Sequence, residues 1–400
     1  MYATHPQQLT MGIALATGLG TILFAGWRMG SAPQNWLMVG LFAATLMSHI
    51  SHGYAQATVD TFQDFGKIAL VFFLVSSMVS DLRRAKGLIF IMIIGCLFLA
   101  WDGIRQWNTG VGITGAVPII EEGQVRVRAT GIFEDPNDLA LMLVTMLPFL
   151  MTDIWRRGHN ILVRALAVAA CVPMVFCVFY TNSRGGWLAL GTMLMVYVAI
   201  HIRRRRLGVV VAALVFLAVF SVGPSRMGLG TSDESSHERL MAWGEANQML
   251  KANPFFGVGY GLFRDYTEEN LVAHNSFAHC WGELGMFGYF FWLALVIASF
   301  KDAWALSKVT GEEPDIGGYE QLGKTAFASF AGFTAAAMFL SRTYSLPLYL
   351  MFGLVAALRT GYESAHGPLP GAFQKRDLRW VAVTAVVSVP VLWIIIRVSG

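Results

Sequence analysis

Charge is scarce in this 400-residue chain. Charged residues make up 14% of it and hydrophobic ones 55%, with a mean hydropathy of +0.55, whereas a soluble globular chain carries about 25% charged residues. That shortage excludes the two or three soluble domains the length alone would suggest. Cysteine is nearly absent too. Cys96, Cys171 and Cys177 lie inside apolar runs and Cys280 begins one, with no CxxC pair, so neither a disulfide framework nor a zinc finger follows. A net charge of +4 gives no footprint for nucleic acid. There is no internal repeat and no low-complexity tract. The opening MYATHPQQLT lacks the basic region and cleavage site of a signal peptide, so the first apolar run is expected to stay as a span.

Long apolar runs are what the chain has instead. A helix needs about 20 apolar residues to cross the hydrocarbon, fewer where flanking residues snorkel. Runs near 9–27, 35–50, 66–80, 87–101, 137–154, 161–180, 185–201, 207–223, 279–300, 323–340, 345–358 and 380–397 predict about twelve spans. The fold expected is all-α, a polytopic membrane protein forming one transmembrane helical domain over 1–400. Trp27, Trp101, Trp107, Trp155, Trp187, Trp281, Trp304 and Trp380 fall at span ends, as an interfacial belt requires.

Cytoplasmic loops retain positive charge. Alternating the loops puts 18 of the 29 basic residues on one side, among them Arg203 to Arg206, for a balance of +9; the other side holds 16 of the 25 acidic residues and a balance of −5. The first side is read as cytoplasmic. Two outward segments are long enough to carry structure, 102–136 and 224–278. In the second, Leu240, Trp243, Ala246, Met249 and Leu250 recur at helical spacing ahead of Pro254 and the glycines 257, 259 and 261. This predicts an amphipathic helix on or near the membrane surface, followed by a tight turn.

The outward side also gathers residues suited to chemistry. An arginine held near the apolar region costs at least about 2.5–3.5 kcal/mol at a helix centre, less toward the interface, so something should offset it. Arg184, in YTNSRGGWLAL, sits in a junction so short that its side chain stays at the outer rim, and the glycines after it permit close backbone approach. It reads either as a snorkelling arginine or as an anion ligand. Arg239 on the loop helix, and Arg126, Arg128, Arg264 and Arg342, are further outward cations. His274 stands where the long loop re-enters the membrane, a helix cap or a proton acceptor, since its unperturbed pKa of about 6.5 suits transfer near neutrality. His274, His279, Cys280 and Glu283 fit none of the usual zinc patterns, and Glu283 is expected to pair with a cation or to support the turn. In GIFEDPNDLALML, Asp135 ahead of Pro136 and Asp138 matches a helix N-cap; with Glu134 these carboxylates also suit orientation of a sugar hydroxyl or an arginine.

Four segments, RATGIFEDPNDLA, TNSRGGW, ERLMAWGEANQMLKANPFFGVGYGLF and AHNSFAHCWGELG, resemble in this order the O-antigen ligase and polymerase superfamily, most closely its O-antigen ligase (WaaL) type, over roughly residues 60 to 360. The resemblance implies a bundle related to the glycosyltransferase-C membrane enzymes in a bacterial inner membrane, with its site facing the periplasm. The implied donor is an undecaprenyl diphosphate-linked glycan, and the acceptor a hydroxyl of the lipid A core. His274 is then the general base, with Arg184 and Arg239 catalytic beside it. Arg126, Arg128, Asn275, Arg264, Arg342 and Glu283 become substrate-binding candidates, and neither metal nor cofactor is implied. The polymerases of the superfamily and protein O-oligosaccharyltransferases share the donor and differ in acceptor. A transporter, from another class, would place polar groups on broken helices at the midplane within paired halves, whereas here they cluster at the outward rim.

Overall fold

The computed structural model describes residues 30–79, 81–121, 123–129, 135–155, 160–202, 205–222 and 233–399. The expected first span, 9–27, lies outside these residues, as do Glu134, Arg203 and Arg204. The described chain is all-α apart from one hairpin. Its helices are α1 (Gln34–Ile50), α2 (Ala55–Met78), α3 (Leu82–Thr109), α4 (Pro136–Trp155), α5 (Ile161–Tyr180), α6 (Arg184–His201), α7 (Arg205–Val222), α8 (Asp233–Ala252), α9 (Ser276–Leu306), α10 (Ile316–Ala337), α11 (Leu346–His366) and α12 (Leu378–Ser399). The hairpin pairs β1 (Ile119–Glu121) with β2 (Gln124–Arg126), Ile119 opposite Arg126, around Gly123 at φ 72°.

Local chemistry sets many of the boundaries. Asp81, Asn160 and Ser183 accept backbone N–H groups from the first turns of α3, α5 and α6, satisfying donors that a helix start leaves without partners. Gly110 ends α3 in the left-handed conformation. Five helical stretches are long and apolar enough to cross a membrane: Ala55–Met78, Leu82–Thr109, Ile161–Tyr180, Ser276–Leu306 and Lys375–Val398; Pro136–Thr152 and Arg206–Val219 are shorter apolar helices. Several helices run past the apolar runs that announce them. α2 takes in Asp60 and Asp64, and α3 takes in Asp102 and Arg105, because helical hydrogen bonding continues through polar residues once the turns are nucleated.

Most of α9 is buried in protein: it packs on α1, α8, α10, α11 and α12, and two-thirds of its apolar window is covered, against 17% for α12. α9 is thus the central pillar and α12 a peripheral helix. Exposed Phe90, Ile91, Ile94 and Phe98 on α3, and Val383, Val386, Trp393 and Ile394 on α12, make apolar outer faces, which suit hydrocarbon rather than water. The predicted loop helix is present as α8. Its apolar face, with Ala242, Ala246, Met249 and Leu250 buried, is covered by α9 and α12, so protein rather than membrane surface receives it.

α9 is broken. Gly285 takes φ 61°, ψ −168° inside it, and the chain after α8 repairs the interruption. Val258 and Gly259 N–H donate to the Gly282 and Glu283 carbonyls (3.0 Å each), while Met286 and Phe287 N–H donate to Pro254 and Phe255 (2.9 and 3.1 Å). Backbone that leaves a helix inside a membrane protein must find such partners. A Cβ on Gly257 would lie 2.3 Å from the Glu283 carbonyl, and one on Gly285 2.4 Å from the Phe255 carbonyl, so this contact requires glycine on both sides.

Candidate active site

Four chain segments meet at the end of the bundle where α4, α6 and α9 begin. The first is β2. Val127 N–H donates to the Tyr180 carbonyl (3.1 Å) and Asn182 Nδ2 to the Val125 carbonyl (2.9 Å), docking the hairpin on the α5–α6 junction. Arg126 is buried there; it donates to the Thr181 carbonyl (3.0 Å) and to Asn137 Oδ1 (3.0 Å) and pairs with Glu121. Ser183, which caps α6, donates to the same Asn137 oxygen at 2.6 Å. Asn137 therefore joins the hairpin, α4 and the start of α6.

Arg184 is the first residue of α6, half-buried, and its approach to the neighbours depends on the two glycines that follow. A Cβ on Gly186 would lie 2.6 Å from Ala140, and one on Gly185 2.8 Å from Leu340. Arg342, after α10, pairs through Nη2 with Asp135 and through Nε with Asp138, 2.8 Å each. Asp135 also accepts the Asn137 N–H at 2.6 Å. It serves at once as helix cap and as arginine partner, the two roles its position in the sequence allows. Arg128 donates to the Val117 carbonyl (3.0 Å), which commits it to the loop, and Arg264 is exposed on a short 3-10 turn, Arg264–Tyr266.

The start of α9 closes the cluster. Asn275 is buried, and its Oδ1 accepts the N–H groups of Phe277 (2.9 Å) and Ala278 (3.1 Å). The residue before it, His274, has φ 47°, a left-handed conformation that costs an L-residue roughly 1–2 kcal/mol and is found preferentially at functional positions. Trp243 of α8 fixes the approach by donating to the Ala273 carbonyl at 2.8 Å. Ser276 Oγ donates to the Leu340 carbonyl (2.6 Å) and accepts the Arg342 N–H (2.8 Å), tying Arg342 to the same helix start.

The electrostatics join these elements. Burial lowers the His274 pKa, and the guanidinium groups of Arg239, Arg342 and Arg264 lower it further against the opposing charge of Glu121. The shift favours the neutral imidazole, the form that accepts a proton. Burial also lowers the pKa of Arg239, with the like charge of Arg184 adding to it and Glu238 opposing. Arg184 thus acts on Arg239 and Arg239 on His274: the three residues singled out in the sequence form one electrostatic group. Arginines whose like charges act on one another favour an anion beside them.

Below this group, Glu283 is buried and accepts the Phe263 N–H (3.1 Å), while His279 lies with Nε2 3.1 Å from the same carboxylate oxygen and Nδ1 3.0 Å from Thr343 Oγ1. Glu283 therefore pairs with a histidine and holds the turn after α8. Among the described residues, the one group of converging metal-type ligands is Glu313, Asp315 and His366, at the opposite end of α9; there the imidazole already bridges the carboxylates at 2.7 and 3.1 Å. Sequence reasoning missed Asn137, Ser276 and Thr343. Asn137 was overshadowed by the carboxylates on either side, and no local pattern marks the other two.

No curated protein matches the chain. Residues 169–293 match the family model described as O-antigen ligase. That stretch runs from α5 into α9 and carries Arg184, Arg239, Arg264, His274, Asn275 and Glu283, so the electrostatic group at the start of α9 lies within the part of the chain that is similar to the O-antigen ligase family.

Proposed function

We propose that the protein is a membrane glycosyltransferase of the O-antigen ligase type, moving a glycan from undecaprenyl diphosphate to a hydroxyl of the lipid A core at the periplasmic face of the bacterial inner membrane. What supports this reading is His274, left-handed at the start of α9 and with its pKa lowered by burial and by the charges of Arg239 and Arg342, in a stretch that matches the O-antigen ligase family model. Departure of a lipid diphosphate builds negative charge on the bridging oxygen. Planar guanidinium groups suit that charge through paired hydrogen bonds, and Arg184 and Arg239 take this role. His274 accepts the proton of the acceptor hydroxyl as its oxygen attacks the anomeric carbon. The bond from that carbon to the diphosphate breaks, and the electron pair leaves with the lipid diphosphate. A single displacement inverts configuration. The bond broken supplies the driving force, so the reaction requires no nucleotide.

Arg126 and Arg342 hold the site together through Asn137, Asp135 and Asp138, and Asn275 sets the start of α9 next to the base. The test is reconstitution of the purified protein in lipid with an undecaprenyl diphosphate glycan and lipid A core, reading the product by mass. General-base catalysis contributes typically about 10²–10⁴-fold, so His274→Ala should lower transfer by that order while still binding undecaprenyl diphosphate. Near-normal transfer by His274→Ala would remove the base assignment. A product in which the glycan is joined to another lipid-linked glycan would make the protein a polymerase instead.

A further inference from the structure

Along α8 lies a cavity of about 630 Å³, within the range of roughly 300–1,000 Å³ typical of small-molecule sites. At 3.6 residues per turn, Met241, Glu245 and Gln248 lie on the side of α8 roughly opposite Arg239 and Trp243. The cavity is lined by this side, by Asn253, Val258, Tyr266 and Glu268 of the following chain, and by Ile396 of α12. Its chemistry is the reverse of that around His274, for among the described residues neither Lys nor Arg lines it. Glu245 Oε1 accepts the Glu268 N–H at 3.2 Å, and Oε2 is buried with no hydrogen-bond partner among the described residues.

Two further observations bear on what the space can hold. Gly244 sits mid-helix, where glycine costs about 1 kcal/mol relative to alanine, and a Cβ there would meet no atom within 4 Å. Close packing therefore does not require it; its effect is to widen the cavity. The polar lining consists of carboxylates and amides, groups that accept, or both accept and donate, hydrogen bonds. Tyr266 and the methionine and aliphatic side chains offer apolar surface beside them. Vicinal hydroxyls on a ring with C–H faces match that combination, while two carboxylates and no cation repel phosphate.

We propose that this cavity binds a neutral saccharide through Glu245, Gln248, Asn253 and Glu268. Resting on the transfer reading, it would hold sugar residues of the donor glycan or of the acceptor core, leaving the diphosphate to the arginines on the other side of α8.

The experiment uses the full chain in lipid nanodiscs and two lipid-free probes: the oligosaccharide released from the lipid-linked donor, and the core oligosaccharide released from lipopolysaccharide. The wild type should bind one of them, which identifies the source. Gly244→Trp, which fills the cavity, and Glu245→Ala should each weaken that binding at least tenfold while binding undecaprenyl diphosphate as the wild type does. Saccharide binding by the wild type that survives Gly244→Trp unchanged, or no binding of either probe, overturns the proposal. Calcium binding that Glu245→Ala abolishes, without any effect on saccharide, also overturns it in favour of a cation site. Saccharide binding lost in Gly244→Trp, in a protein that transfers nothing, would uphold the cavity and refute the transfer reading. Transfer with cavity-independent saccharide binding would do the opposite.

Discussion

Replacing Asn275 separates two accounts of the start of α9. Its Oδ1 accepts two N–H groups, from Phe277 and Ala278, in a side chain only 1% exposed. Loss of an N-cap costs about 0.5–2 kcal/mol, and each buried donor left without a partner adds roughly 1–3 kcal/mol. These terms overlap, so Asn275→Ala should destabilise the protein by roughly 2–4 kcal/mol and release His274 from its left-handed conformation. Asn275→Asp keeps the accepting oxygen, and the helix N-terminus favours its charge, so it should restore most of the stability. The assay is thermal unfolding of the purified protein in detergent beside glycan transfer in lipid. Capping predicts that stability and transfer fall together in the Ala variant and recover together in the Asp variant. An Ala variant as stable as wild type but unable to transfer would refute the argument and make Asn275 a substrate contact instead.

Two other perturbations test the electrostatics and the helix break. If neutral His274 is the general base, as proposed, its lowered pKa should place the acid limb of kcat/KM below the ordinary histidine value of about 6.5. Removing a nearby cation with Arg264→Gln should raise that limb toward higher pH, and removing the opposing anion with Glu121→Gln should lower it; shifts in the reverse directions would show that another group titrates. Gly257→Ala and Gly285→Ala combine a backbone cost of roughly 1–2 kcal/mol with Cβ contacts of 2.3 and 2.4 Å against backbone, so neither should yield a folded protein in the membrane fraction. Gly244→Ala, on the same region of chain but with open space at its Cβ, should fold normally and serves as the control.

The helices were legible because apolar runs and their flanking caps are local signals. Eleven of the expected spans have a helix at their positions, and the loop helix is where Leu240, Trp243 and Ala246 predict it. The break at Gly285 was not legible. GELGMFG lies inside a continuous apolar stretch, and what stabilises its non-helical turn is the backbone of 254–259, a partner some thirty residues away. The hairpin escaped notice for a related reason: three-residue strands carry too little pattern, and β2 is held largely by the α5–α6 junction. At the site, arginine and histidine at the ends of apolar runs stand out because membrane burial makes charge expensive. Asn137, Ser276 and Thr343 do not stand out, since uncharged polar residues are ordinary at helix starts and only their distances in the fold reveal the shared hydrogen bonds.

The distribution of carboxylates divides the arginines by task. Arg126 is matched by Glu121, and Arg342 by Asp135 and Asp138; their guanidinium groups are spent on neighbours that also cap or cross-link α4. Arg239 has no carboxylate within ion-pair distance among the described residues, and the Arg184 charge acts on it from nearby. Bringing an anion to a neutralised arginine requires displacing a carboxylate, whereas bringing one to Arg239 relieves repulsion already present. The same anion would lessen the cationic field that lowers the His274 pKa, making the imidazole a better proton acceptor once a diphosphate has arrived. On the proposed transfer reading, donor binding and the readiness of His274 as base would therefore be coupled through Arg239, favouring proton abstraction when the sugar to be attacked is in place.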